Sequence, residues 1–389
     1  MNASFPLSLY LHIPFCGTKC TYCAFNTYTN LEALVEPFTF ALAREIDIVG
    51  QSQPGQPVHT IFFGGGTPSL LSPEQVARLL SAVRRAFVLL PDAEISLEAN
   101  PNDITRDYLT ALRSLGVNRL SIGMQSAIES ELQLFARRHD NDAVVRAVSA
   151  ARSADFDNLN LDLIYGVPHQ TLANWETTLR QALALKPEHL SLYALGLEDG
   201  TPMKAWVERG RLPAPDDDLA ADMYELATDV LANAGYEQYE ISNWSLPGRA
   251  CRHNLQYWYN QPYAGVGPGA HGFAGGVRYA TVLSPRKYID VLNDAEVSYP
   301  FPYTPATEQA EVVERDTEIA ETLIMTLRLI REGVRRDDFK TRFGSDLLDL
   351  HGDTIERFSR TGLLHVDDER VRLTQQGRLL SNLVFRELV

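Results

Sequence analysis

The chain has 389 residues, 45% of them hydrophobic and 22% charged, enough to bury one large core and a smaller one. Its 50 Asp and Glu against 35 Lys and Arg leave a net charge of -15, which argues against a phosphate-neutralising surface and hence a nucleic-acid partner. No apolar run reaches the roughly 18 residues of a membrane-spanning helix, and four cysteines divided three and one make no plausible disulfide framework.

The opening stretch, MNASFPLSLYLHIPF, lacks a basic segment and a small-residue cleavage site, so a protein that stays in the cytoplasm is expected. From there short strand-like runs recur at residues 8–13 (SLYLHI), 59–64 (HTIFFG), 94–99 (EISLEA), 119–124 (RLSIGM), 158–165 (NLNLDLIY) and 189–195 (HLSLYAL). Amphipathic helical stretches such as LVEPFTFALAREIDIVG, SPEQVARLLSAVRRAF and WETTLRQALAL lie between them. Strand then helix, about six times over, predicts parallel strands with right-handed crossovers. The cysteines, the run Gly64-Gly65-Gly66-Thr67-Pro68, Glu98, Gln125 and Asp162 all fall at or just beyond the ends of successive strands. Such convergence on one rim favours a partial (β/α)6 barrel of TIM-like type.

After residues 199–202 (DGTP) the rhythm changes. A helix at 219–234 leads to GYEQYEISNWS and then to a loop-rich, aromatic stretch ending in GPGAHGF. From about residue 307 the texture is helical, and its end reads helix, helix, hairpin around Asp367 and Asp368, helix, an order that resembles a winged helix. With no basic recognition helix, this is expected to be a packing or lid module. The expected division is a barrel over 1–305, with an extension at about 235–275, and a C-terminal winged-helix-like domain over 306–389.

Cys16, Cys20 and Cys23 stand on a loop leaving the first strand with the spacing C-x3-C-x2-C. A structural zinc ion takes four protein ligands, and a fourth would have to come from His12 or Cys251. A cubane iron-sulfur cluster takes one thiolate per iron, so three cysteines leave one iron open. The glycine run lets backbone approach a ligand closely, and alternation along ISLEAN turns Glu98 into the rim.

The cysteine spacing, with Tyr22 just before the third thiol, resembles the radical S-adenosylmethionine (SAM) superfamily. The resemblance implies a [4Fe-4S] cluster on Cys16, Cys20 and Cys23 whose open iron chelates the methionyl amine and carboxylate of SAM, with reduction cleaving the sulfonium to a 5′-deoxyadenosyl radical. It further implies SAM contacts from Tyr10, Tyr22, Gly65, Gly66, Thr67, Glu98, Gln125, Arg137 and Asp162, with Arg137 suited to the methionyl carboxylate.

YLHIPFC, FFGGGTPS, LEANP, NLDLIYGVPHQT, CRHNLQYW and GVGPGAH resemble, over nearly the whole chain, a subgroup of oxygen-independent coproporphyrinogen III oxidases and their haem-chaperone relatives, HemW. The oxidases carry CxxxCxxCxC and a long segment before it; here Phe25 stands at the fourth place and 15 residues precede Cys16. The chaperones carry CxxxCxxCxF and HNxxYW, matched by Phe25 and by His253-Asn254-Leu255-Gln256-Tyr257-Trp258. The resemblance therefore implies a chaperone that binds haem as cargo and hands it to acceptor haemoproteins, including membrane-associated respiratory ones, with a homodimer and peripheral membrane contact left open. Haem contacts are expected from His253, Asn254, Tyr257 and Trp258, with Cys251 as a further thiolate, since imidazole ligates iron and the aromatics offer a flat apolar surface. The blander reading makes His253 a hydrogen-bonded structural histidine among core aromatics, and His271 and Tyr193 are further rim candidates.

Overall fold

The computed structural model describes residues 6–293 and 298–388; the leader expectation rests partly on residues 1–5, outside the described residues. The first half alternates as expected: β1 (Leu7–Ile13), α1 (Val35–Gln51), β2 (Pro57–Gly65), α2 (Pro73–Ala86), β3 (Val88–Ala99), α3 (Arg106–Leu115), β4 (Arg119–Gln125), α4 (Glu129–Leu134), α5 (Asn141–Ser153), β5 (Leu159–Tyr165), α6 (Leu172–Ala184) and β6 (His189–Ala194). Helix starts are written in the sequence. Ser72, Thr105, Asp140 and Thr171 each accept, through the side chain, a backbone N–H three residues on.

The six strands pair in parallel and in chain order, with registers such as Glu98 beside Ser121, Ser121 beside Asn160, and Asn160 beside His189. The far edge of β1 is taken by a later strand at Tyr263–Val266, so the wall is a partial barrel left open. Because side chains alternate along a strand, each strand has two characters. Leu9 and Leu11, Ile61 and Phe63, and Leu161 and Leu163 are fully or almost fully buried on the outer face. The inner face is largely polar: Ser8, Tyr10 and His12 on β1; Ser96 and Glu98 on β3; Arg119 and Ser121 on β4; Asn160 and Asp162 on β5; His189 and Ser191 on β6, with Phe62 of β2 and Ile164 of β5 as apolar members.

Next come α7 (Pro202–Glu208), α8 (Asp217–Asn233), the antiparallel pair β7 (Glu237–Glu240) and β8 (Asn243–Ser245), and α9 (Arg252–Trp258). The stretch expected to be loop-rich thus holds a helix, and it continues into β9 (Tyr263–Val266), β10 (His271–Ala274) and β11 (Val277–Thr281). Then follow α10 (Pro285–Asn293) and β12 (Thr307–Val312), an antiparallel extension of the sheet beyond β9.

Contacts divide the chain into two compact units, Met1–Ala227 with Pro262–Val312, and Thr228–Gln261 with Val313–Val389. The boundary expected near residue 305 therefore falls differently, and the 235–275 extension is split. The reason is a set of hydrogen bonds that tie α9 and its exit to C-terminal residues. Asn260 donates to the Thr322 hydroxyl at 3.0 Å, the Tyr259 hydroxyl to Glu332 at 2.6 Å, and Arg342 to the carbonyls of Tyr259 and Asn260. Within this unit α11 (Arg315–Leu327), β13 (Val334–Arg335), α12 (Arg336–Phe343), α13 (Leu347–Arg360), β14 (Leu364–Val366) and β15 (Arg370–Leu373) have the winged-helix order around a core that includes Leu323, Phe339, Phe343 and Val371. The hairpin turn is where Asp367 was expected to put it, its carboxylate accepting the N–H of Glu369 and Arg370. The terminal helix is two short ones, α14 (Gln375–Leu379) and α15 (Ser381–Phe385).

One buried carboxylate fastens the first unit. Glu45 on α1 accepts from the Gly267 N–H at 2.8 Å, the Tyr288 hydroxyl at 2.5 Å and the Thr304 hydroxyl at 2.7 Å, three segments far apart in sequence. Glu45→Ala would strand all three donors, so a loss of about 3 kcal/mol in unfolding free energy is expected, read as a lower denaturant midpoint; an unchanged midpoint would contradict this role.

Candidate functional site

At the carboxyl ends of the six strands opens a cavity of about 580 Å3, lined by the cysteine loop, the glycine run and the inner faces of β3 to β6. The loop is pinned at its base. Cys16 N–H donates to the Tyr28 carbonyl and Tyr28 N–H to the Pro14 carbonyl, while Gly66 and Thr67 donate to the carbonyls of Ile13 and Phe15. Farther out, the Thr21 hydroxyl donates to the Leu134 carbonyl at 2.7 Å, and Met203 N–H donates to the Thr21 carbonyl.

All three thiols of the loop are free, half-buried and line this one cavity. The Thr67 hydroxyl donates to Cys16 Sγ at 3.4 Å and Arg137 Nη1 to Cys20 Sγ at 3.5 Å, two polar groups aimed at sulfur. Burial pushes the Cys16 and Cys23 thiols up. A zinc site would need His12 or Cys251 as its fourth ligand. Both ring nitrogens of His12 are engaged, by the Tyr10 hydroxyl and the Asn26 carbonyl, and Cys251 is buried in the second unit. Among the described residues no three His, Cys, Asp or Glu side chains group as ligands of a single ion. Three thiolates on one cavity rim match a cluster that takes one sulfur per iron.

The backbone around them is shaped for close approach. A Cβ on Gly66 would lie 2.6 Å from the Phe15 carbonyl oxygen and 3.1 Å from Cys16 Sγ, and one on Gly123 would lie 2.9 Å from Arg137 Nη2, which donates to the Gly123 carbonyl. Two non-glycine residues of the lining, Gln125 and Ala136, hold φ of 65° and 56°, a strained region that clusters at ligand sites. Arg137 Nε is buried without a hydrogen-bond partner beside the thiols.

Deeper in, two carboxyls meet. Glu98 accepts from the Gly65 N–H at 3.1 Å; burial, and then the charge of Asp162, push its pKa up to about 8. Asp162 is also raised by burial, and accepts from Ser121 Oγ at 3.0 Å and Asn160 Nδ2 at 2.8 Å. A guanidinium at the thiols and two carboxyls below them suit a ligand that carries both a carboxylate and cationic or hydroxyl groups.

Of the residues expected to touch SAM, Tyr22, Gly65, Gly66, Thr67, Glu98, Gln125, Arg137 and Asp162 all line this cavity with Cys16, Cys20 and Cys23. Tyr10 does not: its hydroxyl is 3.0 Å from His12 Nδ1 and its ring stacks on Phe62. Sequence reading missed Ser121 and Gly123, although alternation places both on the face of Gln125; Asn100, from the rim run Glu98-Ala99-Asn100-Pro101, also lines the cavity. Phe25, 70% exposed, and the rim candidate Tyr193, 43% exposed, also line the cavity, and His271 is exposed at the start of β10. The expected haem residues lie together in the second unit, on and just before α9. There His253 is 1% exposed, its Nε2 2.9 Å from the Tyr257 hydroxyl; Cys251 is buried, and Asn254, Tyr257 and Trp258 are half-buried. The Arg328 guanidinium stands 4.7 Å from the Trp258 ring.

A parallel α/β wall with three loop thiols at its mouth defines a radical SAM protein, and the radical SAM superfamily profile matches residues 10–182. The HemN C-terminal domain profile matches residues 313–380. A heme chaperone HemW of Mycobacterium tuberculosis is 38% identical over 99% of this chain and 95% of its own, and that of Bacillus subtilis 38% over 97% and 98%. Among solved structures, the coproporphyrinogen III oxidase HemN of Escherichia coli superposes with a TM-score of 0.85 at 25% identity, over 99% of this chain and 90% of its own. The chain belongs to the HemW family of the radical SAM superfamily.

With its pKa raised from 4.5 to about 8, Glu98 binds its proton more tightly folded than unfolded, so its contribution to stability falls as pH rises through that window. The cofactor-free protein is expected to lose up to about 1.4 kcal/mol per pH unit there from this group, and Glu98→Gln to flatten that part of a thermal-melt profile. An identical profile in the variant would remove Glu98 as the source.

Proposed function

We propose that the protein is a haem chaperone, binding haem and passing it to acceptor haemoproteins, while its barrel carries a [4Fe-4S] cluster on Cys16, Cys20 and Cys23 with SAM beside it. Near full-length likeness to proteins named heme chaperone HemW supports this reading most directly. Phe25 adds to it, an exposed aromatic on the cavity lip where the oxidase pattern has a fourth thiol. When bound, the cluster and SAM supply one-electron reductive chemistry.

The chain's own residues then have distinct tasks. Thr67 and Arg137 point donors at the thiolates, Gly66 keeps the space beside Cys16 clear, and Arg137 offers its guanidinium to the methionyl carboxylate. Glu98, Gln125 and Asp162 provide polar atoms for the amine and hydroxyls of the same ligand, with Tyr22 and Gly65 closing around it. We assign haem contact to the α9 segment. The half-buried rings of Tyr257 and Trp258 give apolar area, with Cys251, His253 and Asn254 beside them. No helix among the described residues is long and apolar enough to cross a membrane. The acceptors proposed include membrane-associated respiratory haemoproteins, served from the cytoplasm by a monomer or a homodimer.

The fold likeness to HemN favours a second reading, oxidation of coproporphyrinogen III by the same barrel. For the chaperone reading, titration of the reconstituted protein with haem should give a saturable Soret shift, and an apo-haemoprotein added afterwards should acquire that haem. In a His253→Ala, Trp258→Ala double variant the affinity should fall about tenfold or more with cluster iron unchanged; wild-type affinity would remove α9 from the haem site. A Cys16, Cys20, Cys23 triple serine variant should lose the brown cluster absorption; a persisting absorption would contradict the cluster assignment.

A further inference from the structure

Below the cavity floor a hydrogen-bonded chain runs through the barrel interior, and its direction is fixed by chemistry. A carboxylate only accepts, so the groups facing Asp162 must donate. Ser121 Oγ does so to Oδ2 at 3.0 Å, and the Asn160 amide nitrogen to Oδ1 at 2.8 Å and also to Ser121 Oγ at 2.7 Å. That orientation turns Asn160 Oδ1 the other way, towards His189 Nδ1 at 2.7 Å and Ser191 Oγ at 3.2 Å. An acceptor there requires the His189 proton on Nδ1. Burial holds that imidazole neutral, in keeping with a single ring N–H assigned by its partner. The register produces the chain, since Ser121, Asn160 and His189 are cross-strand neighbours on β4, β5 and β6, one layer beneath Asp162. Asn160 and His189 are almost fully buried, and neither lines the cavity.

We propose that Asn160 and His189 are positioning residues that fix the Asp162 carboxylate at the cavity floor and thereby set the affinity of the site for SAM. The inference rests on the reading of this cavity as a SAM site. Removing the His189 donor leaves Ser191 as the donor to Asn160 Oδ1, so the amide that donates to Asp162 is held less firmly and the carboxylate loses its fixed place. Glu98 from β3, Arg119 from β4, Arg137 beyond α4 and His189 from β6 are ionisable groups near this carboxylate.

The test is SAM binding by equilibrium dialysis to the full chain after anaerobic cluster reconstitution, with iron content and thermal midpoint measured alongside. His189→Leu should bind SAM about tenfold more weakly, the weight of one hydrogen bond to a charged group, at unchanged iron content. His189→Asn, which returns a donor close to Nδ1, should bind like the wild type. Asn160→Asp should bind poorly at about pH 8 and recover at about pH 6, where the new carboxyl is protonated and donates as the amide did. Equal affinity in His189→Leu and wild type, His189→Asn as weak as His189→Leu, or a pH-independent Asn160→Asp would each overturn the positioning role. A reconstituted wild type that binds no SAM would instead overturn the reading of the cavity, and this inference with it.

Discussion

A parallel sheet that turns a polar face inward has to satisfy that face, and the rest of the first unit follows from how it does so. Glu98 and Asp162 are carboxyls held in the barrel interior with Arg119 near them, an arrangement that costs free energy unless every lone pair is met. Lower down the partners are protein groups, Ser121, Asn160, His189 and Ser191. At the rim the remaining valence opens on the cavity, where the thiols of the cysteine loop stand opposite the carboxyls. Stability is thereby traded for a site, and the outer faces of the strands, with Leu9, Phe63, Leu161 and Leu190 fully or almost fully buried, supply the compensating apolar core.

The cysteine loop is an excursion that needs external support, because it has little regular structure of its own. Its two ends are tied to each other through Pro14, Cys16 and Tyr28, its base to the glycine run, and its tip to Leu134, Phe135 and Met203. These ties hold three sulfurs around one space before any metal arrives, which lowers the ordering cost of assembling a cluster. The strained backbone at Gln125 and Ala136 sits on the same rim.

Much of this was legible from the chain because alternation was so regular. In SLYLHI, EISLEA and NLNLDLIY polar and apolar residues trade places at period two, which gave both the strand positions and the side of Glu98 and Asp162. The chain from Asp162 to His189 was not legible, because it depends on register, and register is set by pairing between segments about thirty residues apart. β9 and β10 read as loop in the sequence because they are four residues long with two glycines between them. The attachment of residues 228–261 to the C-terminal unit was hidden for another reason, since single hydrogen bonds from Tyr259 and Asn260 to residues sixty or more positions later leave no pattern in sequence. Tyr10 lies on the expected face but one layer too deep, held by His12.

The family places this barrel next to an oxidase of nearly the same fold, and the chaperone function proposed for it means carrying tetrapyrrole without transforming it. The direct measurement is anaerobic incubation of the reconstituted protein with a strong reductant, SAM and coproporphyrinogen III, followed by analysis of the same tube for protoporphyrin products and for 5′-deoxyadenosine. The account predicts no decarboxylated tetrapyrrole even where deoxyadenosine shows the cluster to be active. Protoporphyrin product in multiple turnovers would contradict it and make the chain an oxidase despite Phe25.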